Sequence, residues 1–234
     1  MRQIVLDTET TGLSPEAGHR IIEIGALELI NRRLTGKQFH YYLNPDRDVD
    51  YGAQKVHGLT RAFLKDKPRF PEIVREFLAF IRDAELIIHN APFDIGFLNY
   101  ELSLHDKSLG IISDYAQVLD SLVLARKQHP NQKNSLDALS KRYEIDCFDR
   151  ELHGALLDSK ILAQVYLSMT GGQADLSLEL EESSKVIVEN KEQAEQQHQP
   201  FKVIYADTTE LAIHEQYLQK IKEANRGQCV WLQD

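Results

Sequence analysis

Residues 4–13 read IVLDTETTGL. The apolar run Ile4-Val5-Leu6 reads as a short buried strand that ends abruptly in two carboxylates, Asp7 and Glu9. Side chains at i and i+2 of an extended segment share a face. Asp7 and Glu9 are therefore expected to converge at the strand's C-terminal end. Two carboxylates held close together repel unless a proton or a divalent cation lies between them. Oxygen-only ligands suit Mg²⁺ or Mn²⁺. A strand end followed by a solvated acidic turn, with Thr10-Thr11-Gly12 as the turn, accounts for the same residues without a metal.

Three later segments bear on that choice. Leu86-Ile87-Ile88 is another strand ending in polar residues, Asn90-Ala91-Pro92-Phe93-Asp94. Pro92 fits the first turn of the following helix, which places Asp94 in that turn beside the sheet. The bland alternative is a carboxylate favoured by the helix dipole. Next, His153-Gly154-Ala155-Leu156-Leu157-Asp158 opens a segment with apolar residues at helical spacing. If both residues lay on one helix, His153 and Asp158 would point about 140° apart. They can share a site only if His153 is on the loop, and Gly154 allows that; a surface histidine is the competing reading. Finally, Val56-His57-Gly58-Leu59-Thr60 reads as a loop with an exposed imidazole.

In order, these segments are D-x-E, N-x-x-F-D and H-x-x-x-x-D. The chain resembles the DEDD family of 3′→5′ exonucleases, in the branch whose third motif carries histidine. Within it, residues 1–172 are similar to the proofreading exonucleases of bacterial replicative DNA polymerases. RQIVLDTETTG, HRIIEIGALELINRRLTG, VHGLT, ELIIHNAPFDIGF, NSLDALSKRYEID and LHGALLDSKILAQVYLSMTGG carry the resemblance. It implies a ribonuclease-H-like fold. It also implies two Mg²⁺ or Mn²⁺ ions held by Asp7, Glu9, Asp94 and Asp158, one at the attacking water and one at the leaving 3′ oxygen. His153 is then the general base, since imidazole titrates near working pH. The backbone of residues 8–13 and the residues Asp7, Glu9, Val56, His57 and Asp158 are the implied contacts to the DNA 3′ end. The implied product is a nucleoside 5′-monophosphate.

Composition sets limits. A chain of 234 residues with a net charge of −9 can bury a full core. It lacks the basic balance of a protein that grips long duplex by its phosphates. That suits an enzyme taking a short 3′ end and borrowing affinity from a larger partner. Cys147 and Cys229 lack metal-ligand spacing, and the expected compartment is a reducing cytoplasm. No apolar stretch approaches the roughly 20 residues that span a bilayer, so no membrane partner is expected.

The pattern predicts strands over 2–7, 20–31, 34–43, 85–89 and 116–119, and a loop with a short helix over 52–65. Helices are predicted over 71–82, 92–104, 120–128, 135–142 and 154–169. Arg32-Arg33-Leu34-Thr35-Gly36 reads as a hairpin turn, and Ser135 as an N-cap. The fold class is α/β, a mixed sheet flanked by helices.

Composition shifts near Gly171-Gly172. Residues 173–200, rich in Glu, Gln and Ser, read as a flexible linker. Gln173-Ala174-Asp175-Leu176-Ser177-Leu178 resembles the peptides that dock replication proteins on the sliding clamp, with Gln173, Leu176 and Leu178 as anchors; an ordinary polar linker is the alternative. Residues 201–234 read as a strand over 201–206, an amphipathic helix over 208–224 and a strand over 229–232, a small α/β segment too short for a secure core of its own. The resemblance makes this segment the tether to the polymerase catalytic (alpha) subunit, against a hairpin and helix folded back on the nuclease domain. It also brings in a small accessory, theta-like subunit as a further partner. Two rival functions remain at this level: trimming of RNA 3′ ends, and a structural clamp–polymerase adaptor.

Overall fold

The structure is a computed structural model that describes residues 1–145, 152–171 and 206–224. The chain forms two compact units, Met1–Leu178 and Glu179–Asp234. In the first, β1 (Arg2–Thr10), β2 (Ile21–Ile30) and β3 (Arg33–Tyr42) form an antiparallel meander. Helices α1 (Tyr51–His57), α2 (Arg61–Leu64) and α3 (Phe70–Ile81) follow. Next come β4 (Glu85–Ile88), α4 (Ala91–His105), β5 (Gln117–Asp120), α5 (Ser121–Gln128), α6 (Leu136–Arg142) and α7 (Ala155–Gly171). The sheet order is β3-β2-β1-β4-β5, with β4 and β5 parallel to β1.

β1 is central and buried on both faces, which is why its core reads as a continuous apolar run. Ile4 and Leu6 pack in one cluster with Phe77 and Ile81 of α3 and Phe97 and Leu98 of α4. Val5 points the other way, onto Leu162, Ala163 and Tyr166 of α7. Each such side chain contributes roughly 1.5–3 kcal/mol by burial. Three layers result, and the C-terminal end of β1 is where both helical layers reach the sheet. Ser135 caps α6 as expected, its hydroxyl accepting the Ala138 N–H at 3.4 Å.

Two local expectations change. β1 does not stop at Asp7, because pairing with β2 continues through Glu9↔Glu23 and, after a register shift, Thr10↔Ile21. The two carboxylates are thus held on a hydrogen-bonded strand rather than a turn. The β2–β3 turn is Asn31-Arg32, both left-handed (φ 48° and 65°), with Ile30 paired to Arg33. Two successive positive φ values suit the right-handed twist of a two-residue hairpin, and Leu34 and Thr35 accordingly lie in β3.

In the second unit the described element is α8 (Thr208–Ala224). Asp207 Oδ1 accepts the N–H groups of Thr209 and Glu210, and Glu210 accepts the Asp207 N–H, a reciprocal cap. Leu211, Ile213, Tyr217 and Ile221 of α8 are exposed. The clamp-type peptide with Gln173, Leu176 and Leu178, the linker and the strand at 229–232 lie outside the described residues, as does all but the last residue of the strand read at 201–206. Among the described residues no helix is long and apolar enough to cross a membrane.

Candidate active site

Asp7 and Glu9 emerge from β1 on the face that α7 covers. The register opposes Asp7 to Gly25 of β2. A Cβ at Gly25 would lie 2.3 Å from the Ala155 carbonyl carbon and the Leu156 nitrogen. The bare glycine lets the start of α7 rest on β2, where Ser159 Oγ donates to the Gly25 carbonyl at 2.8 Å. That contact brings Asp158 to the strand. His153 precedes the helix on the loop, as the angular argument required. Its backbone N–H donates to the Val56 carbonyl at 3.0 Å, and its Nδ1 lies 3.1 Å from Asp158 Oδ2. An ionised carboxylate can only accept, so this contact puts the ring proton on Nδ1 and leaves Nε2 as a base.

Asp94 reaches the site from the opposite helical layer. Asn90 adopts φ 67° between β4 and α4, and its N–H donates to Asp120 Oδ1 at 3.1 Å. Asparagine tolerates that conformation, and the sharp turn sets Asp94 over β1. Thr8 donates to Asp94 Oδ1 twice, from its N–H at 3.1 Å and its hydroxyl at 2.7 Å. Asp94 is 3% exposed. Burial pushes its carboxyl up from 3.8 to about 7, with the Thr8 bonds and its own backbone N–H opposing and Asp120 adding to the rise.

Ligand atoms of Glu9, His153 and Asp158 lie within 4.8 Å of one another. Asp7 sits two residues from Glu9 on the same strand face, and Asp94 adjoins through Thr8. Of the five residues singled out in the sequence, the structure brings Glu9, His153 and Asp158 together, while Asp7 lies two residues back on β1 and Asp94 is bonded to Thr8 between them. The donors fit a divalent cation: Glu9 and Asp158 offer carboxylate oxygens within 4.8 Å of each other and of a His153 ring nitrogen, and close carboxylates favour a countercharge between them.

His57 departs from expectation. It is the last residue of α1, not part of a loop, and is 4% exposed rather than on the surface. Gly58 (φ 72°) ends the helix and turns the imidazole inward. The Leu59 N–H donates to His57 Nδ1 at 3.0 Å, so Nε2 carries the proton of the neutral ring. Burial lowers its pKa, the Thr10 carbonyl opposes, and nearby His153 lowers it further. His57 and Val56 line a cavity of about 450 Å³ with Thr8, Glu9, Thr10, Gly12, Leu13, Asp50, Gly52, Ala53 and Phe93. This is the size of a small-ligand pocket, and Glu9 joins it to the carboxylate cluster.

Sequence reasoning passed over several contributors. Gly25 carried a signal, since an isolated glycine in a strand marks close backbone approach. Phe93 lay inside a quoted motif. Asp50 and Gly52 had none. Glu23, opposite Glu9, is 2% exposed, with His40 Nε2 at 2.8 Å. The Tyr42 hydroxyl across the strand pair has its pKa raised by burial and by Glu23.

Residues 4–166 match the exonuclease family RNase_T. The chain is 50% identical over 241 residues to the DNA polymerase III subunit epsilon of Salmonella typhimurium, covering 98% of this chain and 97% of that one. Against the Escherichia coli subunit identity is 49% over the same length and coverage. The Rickettsia prowazekii subunit is 54% identical over 173 residues, 74% of this chain and 76% of that one. Exonuclease X in complex with 5′ overhanging duplex DNA superposes with a TM-score of 0.58 at 24% identity, over 72% of this chain and 91% of that chain. The zinc-bound complex of E. coli exonuclease I with single-stranded DNA gives 0.61 at 17%, over 70% and 39%. These two likenesses establish the fold. The identities, which run nearly end to end, go further: this chain belongs to the exonucleases and, among them, to the DNA polymerase III epsilon subunits.

Proposed function

We propose that this chain removes nucleotides one at a time from DNA 3′ ends, as the proofreading exonuclease of the replicative polymerase, and releases nucleoside 5′-monophosphates. The observation that carries the reading is the convergence of Glu9, His153 and Asp158 within 4.8 Å beside a pocket of about 450 Å³. Asp7, Glu9, Asp94 and Asp158 are the proposed holders of two Mg²⁺ or Mn²⁺ ions. When bound, these supply Lewis acidity and neutralise charge at phosphorus.

The chain's own groups do the rest. The pocket takes the terminal nucleotide, with Val56 and His57 on its wall and the scissile phosphodiester at the carboxylates. His153 receives the proton of the attacking water at Nε2, and Asp158 holds the ring and stabilises its charged form. Neutral His57, fixed by the Leu59 N–H at Nδ1, gives the pocket wall a rigid ring face against the nucleotide. A pocket of about 450 Å³ takes one unpaired nucleotide, and a mispaired terminus unpairs at least cost. Selectivity then needs no reading of the base.

A net charge of −9 gives little affinity for duplex phosphates, so partners must hold the enzyme at the primer end. Membership of the polymerase III epsilon subunits implies polymerase partners. We assign residues 201–234 to the polymerase alpha subunit, 173–178 to the sliding clamp, and leave a small theta-like subunit for the nuclease domain. The exposed apolar residues of α8 favour a partner on that helix.

The deciding experiment follows mononucleotide release from end-labelled DNA and RNA oligomers with and without Mg²⁺. DNA should be degraded from the 3′ end only with metal. Asp7→Ala or Glu9→Ala should leave under about 1% of the activity, on the scale of a lost metal ligand. Preference for RNA, or metal-independent release, would overturn the reading.

A further inference from the structure

His19 lies outside the carboxylate cluster yet touches both sides of the pocket. Its Nδ1 is 3.0 Å from Thr11 Oγ1, and the Arg20 N–H donates to that same oxygen at 3.0 Å. Thr11 is fully buried. Its hydroxyl proton is satisfied when it is donated to Nδ1. The ring proton then sits on Nε2, which faces Asp50 Oδ2 at 3.5 Å. Asp50 belongs to the opposite wall, at the start of α1, and its backbone N–H donates to the Thr11 carbonyl at 3.0 Å. A Cβ on Gly12 would fall 2.3–2.6 Å from three His19 ring atoms. The imidazole thus lies flat on Gly12, and Gly12 has a negative or extended backbone, so the missing side chain is explained by the ring rather than by φ. The stretch is anchored at Arg20, whose guanidinium makes two bonds, 2.8 and 2.7 Å, to buried Glu101 on α4.

We propose that His19 is a positioning residue that clamps Thr11-Gly12 to Asp50 and so sets the width of the pocket for the 3′-terminal nucleotide. The inference rests on the nucleotide reading of that pocket. Planarity suits the role: one edge of the ring accepts from Thr11 while the other faces the Asp50 carboxylate at 3.5 Å, and the face seats on Gly12. His19 acts on the pocket through Thr11, Gly12 and Asp50. Its loss should loosen the ground-state site and spare the chemistry.

The test uses the full chain and the 4-nitrophenyl ester of thymidine 5′-monophosphate with Mn²⁺, a probe with a single nucleotide. His19→Ala should raise KM about tenfold, which is about 1.4 kcal/mol, with kcat within about twofold. Gly12→Ala should do the same, because its methyl points into the ring and not into the pocket. His19→Gln, which keeps a donor at the reach of Nε2, should recover part of the affinity. A loss of folded protein lowers kcat and leaves KM alone, so that pattern in both variants, or an unchanged KM, would overturn the clamp. Failure of the wild-type chain to hydrolyse the ester would instead remove the nucleotide reading of the pocket, and the clamp with it.

Discussion

Gly25→Ala tests how the site is assembled. The new Cβ would stand 2.3 Å from two backbone atoms of Ala155 and Leu156 and 2.5 Å from the Ala155 oxygen, where ordinary contact begins at 3.4 Å. Something must move by about 1.1 Å, the shortfall between those distances. β2 is held between β1 and β3, so the start of α7 is the freer element. It carries Asp158, and His153 immediately precedes it. Misplacing catalytic groups by about 1 Å costs on the order of 10²-fold in rate. The overpacking itself costs about 1–3 kcal/mol of stability, or a melting-temperature drop of several degrees. The measurements are kcat on a single-stranded DNA oligomer in Mg²⁺ and a circular-dichroism melt. Gly96→Ala on α4 is the control, since its Cβ would meet nothing within 4 Å. It should keep activity and gain up to about 1 kcal/mol. A folded Gly25→Ala protein with activity within about twofold of wild type would refute the argument that this glycine sets the position of α7.

His153→Ala should lose about 10²–10⁴ in kcat while Mn²⁺ binding by calorimetry survives; if affinity disappears with activity, His153 is a ligand and not the base. In Asp94 the folded pKa, about 7, lies above the ordinary 3.8. The folded state therefore binds the extra proton, and stability of the metal-free protein should fall as pH rises from about 4 through 7. Asp94→Asn should match wild type at low pH and be more stable above pH 7 by up to a few kcal/mol, seen as a higher melting temperature; parallel melting profiles from pH 4 to 8 would contradict this. A chain ending at Gly172 should keep nuclease activity and lose the polymerase subunit in pull-downs. Changing Gln173, Leu176 and Leu178 together to alanine in the full chain should weaken the clamp contact alone, and unchanged clamp capture would remove that peptide.

Local chemistry made much of this protein legible from its sequence. Strand and helix periods follow from side-chain spacing, so α3, α4 and α8 fall within a residue or two of where the pattern puts them. The i, i+2 rule put Asp7 and Glu9 on one face, and the helical angle required His153 to stand on a loop. What the sequence could not supply depended on contacts between distant segments. β1 runs on to Thr10 because β2 offers partners there, a fact absent from residues 8–10 themselves. His57 is buried because Gly58 turns it under the residues of β1, whereas a short polar segment read alone reports only exposure. The sheet order, the seat of α7 on Gly25 and the place of His19 on Gly12 all arise from backbone approaches across long stretches of chain. No residue type announces these approaches in advance, because a glycine shows that room is needed and only the folded chain shows for what.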